Sequence, residues 1–201
     1  EENQLYKKLK YLVYSAMLWA RYSGSSESVV DKDLKLLKEI KGINALDEII
    51  KDNERDERKI TPGIFKTHSK NSPEFKIYYL FMKDRLGEHE ISKDVLYNLN
   101  KKEDHHIFPK KLLKKLGFEE NVMNDICNLT FISKKRNLNI LAKNPEEYLK
   151  DLWEKQGESF FDQHLIPKDR NLWKLNNYTK FIEERRKLIA NQIAIFFEKM
   201  K

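Results

Sequence analysis

The sequence has little cysteine: Cys127 is the single thiol in 201 residues. No internal disulfide can form, and without a CxxC pair there is no cysteine-based zinc staple. The fold must rest on packing, which a chain of this length can supply. Such thiol usage fits a reducing compartment, so a cytoplasmic location is expected. No apolar run approaches the roughly 18 residues of a membrane-spanning helix, and no membrane partner is expected. The opening "EENQLYKK" lacks the plan of a secretory signal. It also lacks an initiator methionine, and the chain is expected to be a region of something longer. Internal repeats, low-complexity tracts and long flexible linkers are missing. So is a GxxxxGK[ST] loop, which excludes a P-loop nucleotide site in this stretch.

What is present is charge and helical periodicity. Lysine and arginine number 39 against 32 acidic residues, giving +7 and a pI near 9.2. That excess favours a polyanionic partner. Leu5, Leu9, Leu12, Val13, Ala16, Met17 and Ala20 recur at helical spacing over residues 4–21, predicting one apolar face. "SESVVDKDLKLLKEI" reads as a second helix, with Ser28 and Asp31 spaced as a capping box. "NALDEIIKDN" predicts a third, and "KDNERDERK" after it a solvated stretch. Ser72 as cap, Pro73 at the first position and Gly87 past the end frame a fourth helix. Its load of Phe and Tyr requires packing on more than one side.

The texture changes near His89. "EDHHIF" predicts a short extended stretch, and "PKKLLKKLG" a two-turn helix from Pro109 to Gly117. "CNLTFIS" is β-prone, and "SKKRNLNILA" predicts a helix capped by Ser133. "NPEEYLKDLWEKQG" has Asn144 as cap and acids in the first turn. The last long helix starts at "YTKFIEERRKLI", with Phe181, Ile182, Leu188, Ile189, Ile193 and Phe196 as its buried stripe. The expected organisation is residues 1–88 and 143–201 as helical parts of one compact unit, around a strand-containing insert at 89–142.

That insert gathers Asp104, His105, His106, Asn128 and Asn137. Imidazole binds divalent metals and takes protons near neutral pH. Phosphodiester hydrolysis needs both a base for water and a cation for the developing charge. Adjacent side chains on an extended strand point to opposite faces, so two neighbouring histidines share a site only where the strand ends or twists. Pro109 marks such an end. Asn137, on the helix after "LTFI", is a candidate oxygen ligand, and Asn128 is placed to tie the loop down through its amide. His68 and His164 show no partner pattern. His89-Glu90 begins like HExxH, but Lys93 stands where the second histidine belongs.

"DHHIFPKK" followed by "NLTFISKKRN" resembles the HNH, or ββα-metal, nuclease pattern. The resemblance implies His106 as general base, His105 and Asn137 as metal ligands, and Asn128 as the central Asn that fixes the loop. Asp104 is a further candidate ligand, or a group that orients a histidine. It implies a mainly α fold with a small ββα-metal insert, a helical body around a short two-stranded hairpin plus helix. It also implies one divalent ion, Mg2+ or Mn2+. Lys110, Lys111, Lys114, Lys115, Lys134, Lys135 and Arg136 flank this site and could line a phosphate track.

"RYSGSSESVVDKDLK" and "FFDQHLIP…YTKFIEERRKLI" look like the helical flanks of the C-terminal effector regions of GmrSD-like restriction and phage-defence proteins. The resemblance implies DNA as substrate and an N-terminal nucleotide-hydrolysing sensor domain outside this chain. Two other readings remain open here. One is a non-catalytic DNA-binding or partner-docking helical domain with a degenerate site; the other is an RNase or toxin nuclease.

Overall fold

The computed structural model describes residues 2–24, 26–40, 42–55, 58–86, 104–131 and 143–201. Among them the chain is mainly helical, with one small antiparallel pair of strands. No described helix is long and apolar enough to cross a membrane. Two compact units divide it: residues 1–60 with 192–201, and residues 61–191.

In the first unit, α1 (Glu2–Leu18), α2 (Ser26–Glu39) and α3 (Ile43–Asn53) surround a small core of Leu12, Leu46 and Ile49. The buried face of α1 differs from the expected one. Tyr11, Leu12, Ser15, Ala16 and Leu18 are buried, whereas Leu5, Leu9 and Val13 are exposed. Tyr11 is drawn inward by Glu54, which accepts from its hydroxyl, and Asn53 donates to Ser15 Oγ at 3.0 Å. The helix therefore turns a partly polar stripe to α3. The capping box also fails, because α2 starts at Ser26 and leaves Ser28 inside the first turn. Nor is "KDNERDERK" simply solvated. Asp52 accepts from Arg21 at 3.0 Å and Lys32 at 2.8 Å, and Arg21 grips buried Asp33 through two bonds of 2.9 and 2.6 Å.

In the second unit, α4 (Pro73–Leu86) is capped by Ser72, whose Oγ accepts from Phe75 N at 3.1 Å. Phe75, Ile77, Tyr78, Tyr79, Phe81 and Met82 are all buried, so this helix packs on several sides as its composition requires. Gly87 and the helix expected from Ser133 lie outside the described residues. Strand β1 (Asp104–His106) pairs with β2 (Leu129–Phe131) in the register Asp104–Phe131, His105–Thr130, His106–Leu129. The connection is no tight turn. It holds α5 (Lys110–Lys115), α6 (Glu120–Met123) and a 3-10 turn at Ile126–Asn128. Gly117 leaves α5 at φ 83°, the left-handed conformation a glycine adopts without a Cβ clash. Then follow α7 (Pro145–Gln163), capped by Asn144 Oδ1 on Glu146 N at 3.1 Å, and α8 (Tyr178–Glu198), whose residues from 192 on belong to the first unit. The stripe of α8 includes Phe181, Ile182, Ile189 and Ile193 as expected, but Leu188 is exposed and Arg185 is fully buried.

Candidate functional site

The two histidines sit at the end of β1. His105 is 7% exposed, with its ring 6.0 Å from that of Tyr148 in an edge-to-face contact. Tyr148, on α7, donates its hydroxyl to Ile107 O at 2.5 Å, and burial pushes its phenol up, out of reach of ionisation. His106 is half-buried, and its Nε2 lies 3.4 Å from Asn124 Oδ1. Donation from Nε2 to this oxygen would leave Nδ1 as the unprotonated nitrogen of the neutral ring.

The surroundings keep that ring neutral. Burial lowers the His106 pKa to about 4, and the charges of Lys110, Lys70 and His105 act in the same direction against the Asn124 contact. The ordinary imidazole value is about 6.5. Protonation of this ring is therefore displaced to below the usual histidine range.

Asn128 is fully buried and makes three hydrogen bonds through its amide. Oδ1 accepts from Phe108 N at 2.8 Å, while Nδ2 donates to Phe108 O at 3.1 Å and Met123 O at 3.0 Å. Its backbone carbonyl accepts from Ile107 N at 2.8 Å. One side chain thus fastens the chain just after His106 to the end of α6. Phe108 is locked from the other side by Phe181 and Tyr178, with ring centroids 4.8 and 5.2 Å away.

Arg185 is the residue that sequence reasoning missed. It donates to Cys127 O at 2.6 Å and Leu129 O at 2.7 Å, on either side of Asn128, and also to Leu165 O, His164 O and the Tyr78 hydroxyl. All five N–H groups of the guanidinium are used, so a buried charge is solvated by carbonyls. On the sequence Arg185 reads as one more cation of a charged helix. The available signal is its place on the apolar stripe, four residues from Phe181 and Ile189. Thr130 and His164 pair at 3.0 Å behind β2. Burial raises the Cys127 thiol to about 12, which leaves it without thiolate character.

Of the expected metal ligands, His105 has its imidazole among the described residues, Asp104 is described in its backbone alone, and Asn137 lies outside them. No group of three or more His, Cys, Asp or Glu gathers among the described residues to hold an ion. His105 fits one ligand position by its chemistry. Lys110 lies 3.5 Å from Glu120, and Lys111, Lys114 and Lys115 are exposed on α5. Lys134, Lys135 and Arg136 lie outside the described residues. Asn124, which no sequence pattern marked, contacts His106, and Lys70 is near enough for its charge to act on it.

No family model matches the chain. It is similar to an uncharacterized protein of Methanocaldococcus jannaschii, 26% identical over 213 residues that cover 92% of this chain and 36% of that protein. The chain thus spans about a third of the length of this relative. No solved structure matches.

Proposed function

We propose that this chain is a metal-dependent DNA endonuclease of the HNH, or ββα-metal, type, the effector region of a restriction or anti-phage defence protein. The observation that carries the reading is His106: an imidazole at the end of the strand, in contact with Asn124 and kept neutral by burial and by the charges of two lysines. A base beside cations suits removal of a proton from water next to a bound phosphate. Asn128 fastens the chain just after this ring, and Lys70 and Lys110 offer charge to the phosphate. His105, Asn137 and, as a further candidate, Asp104 would hold one divalent ion, Mg2+ or Mn2+. When bound, it would stabilise charge on the phosphate and the leaving oxygen. The partners in this reading are DNA and an N-terminal nucleotide-hydrolysing sensor domain, acting in the cytoplasm.

The test is cleavage of supercoiled plasmid and of a matched RNA with Mg2+, Mn2+, Zn2+ or EDTA. Metal-dependent nicking is expected, and His106→Ala should reduce it by roughly a hundredfold or more with circular dichroism and melting unchanged. An imidazole ligand is taken more readily by first-row transition ions than by Mg2+, so Mn2+ should be the better activator. Failure to cut either polymer with any ion would leave a non-catalytic nucleic-acid-binding domain. Cleavage of RNA alone would move the substrate.

A further inference from the structure

The second unit holds a cavity of about 390 Å3 that the chemistry at His106 leaves unused. Its walls are residues 66–68, α6 with Asp125, and the first turns of α8. The volume falls in the range of small-ligand pockets, roughly 300–1,000 Å3. Val122, Tyr178 and Ile182 make its apolar part. Tyr178 is itself fully buried, its ring against Phe108 and Phe118 and its hydroxyl on Val122 O at 2.7 Å, so the apolar surface open to a ligand is that of Val122. Lys66, His68, Asn121 and Thr179 form an exposed polar rim. Arg186 is paired with Asp125 at 2.5 Å, and Glu183 offsets Lys66. The lining is therefore close to neutral, which suits an aromatic base and its sugar better than a bare anion.

The segments that wall this cavity also reach His106. Asn124, between α6 and Asp125, contacts the imidazole. Lys70, two residues beyond His68, is near enough for its charge to act on His106. Thr67 O accepts from Ile126 N at 2.9 Å, which joins the two segments. Lys66, His68 and Lys70 thus follow one another from the cavity towards the candidate base.

We propose that the cavity is a nucleoside-binding subsite for a nucleic-acid strand. It receives the base and sugar next to the phosphate that lies at His106, with Lys66 and Lys70 taking the backbone phosphates on either side. The position of the scissile phosphate rests on the nuclease reading, but the claim itself concerns binding.

A short single-stranded DNA oligonucleotide and its RNA counterpart are titrated against the full 201-residue chain by fluorescence anisotropy. EDTA is present, so that binding is read without cleavage. Thr179→Trp, which fills the cavity from its rim, and Lys70→Glu should each weaken binding about tenfold or more. Lys187→Glu makes the same charge change at an exposed position of α8 outside the lining, and should change binding by less than about twofold. Equal weakening by Lys187→Glu and Lys70→Glu, with Thr179→Trp binding like the parent, overturns the subsite. A readout that needs no variant is the amide spectrum on addition of dTMP. Shifts at Asn121 and Thr179 are expected, and shifts only elsewhere, or none, are equally fatal. If nicking fails while these binding effects appear, the catalytic reading falls and the subsite stands; the reverse removes the subsite alone.

Discussion

His106 is held neutral by what surrounds it. Burial denies water to the charged ring, and the ammoniums of Lys110 and Lys70 oppose protonation further. An NMR titration of the imidazole in the metal-free protein should give a midpoint near 4, against about 6.5 for an ordinary histidine. In the window between those values the unfolded chain binds more protons than the folded one. The stability that His106 contributes is therefore complete above about pH 6.5 and is lost as pH falls towards its folded pKa. Lys70→Ala and Lys110→Ala should each raise the midpoint, and a midpoint at or above the ordinary value would contradict this account. At this scale the sequence displayed His105, His106 and Asn128, because their side chains stand within or beside a short β-prone stretch. It gave no sign of Asn124, which contacts His106, or of Lys70, whose charge acts on it, because both come near only when the chain folds.

Among the elements, α4 and α7 announce their starts through caps whose chemistry is local: Ser72 with Pro73, and Asn144 with Pro145. The faces of helices are less legible. The periodicity of α1 predicted a leucine stripe, but Tyr11 and Ser15 turned inward because Glu54 and Asn53 on the other side give their polar groups partners. Within α7, Gly157 breaks the helix at φ 73°, and nothing lies within 4 Å of an added Cβ. Gly157→Ala should therefore destabilise through backbone conformation alone, by roughly 1 kcal/mol, in urea unfolding followed by circular dichroism. An increase in stability would show that the kink straightens at no cost.

At the scale of the whole molecule, Arg185 is the long-range fastener of the second unit. It joins α8 to Tyr78 on α4, to the chain on both sides of Asn128, and to the end of α7. Lysine carries the same charge but only three donors on a point-like head. Arg185→Lys would leave several buried carbonyls without a donor, each worth about 1–3 kcal/mol. A loss of roughly 3 kcal/mol or more is expected in chemical denaturation, and a loss under about 1 kcal/mol would mean that water or relaxation replaces the fork.

The sequence by itself determined the mainly helical body, the short β-prone stretches on either side of a basic helix, and the placing of two histidines where a strand stops. These follow from caps, periodicity and side-chain chemistry within a few residues of one another. Only the tertiary structure decided that His106 is neutral, that Arg185 is buried, and that residues 66–70 lie beside Asn124–Ile126. Desolvation and hydrogen bonding between distant segments arise when the chain closes on itself, and no local pattern encodes which cation will be taken inside.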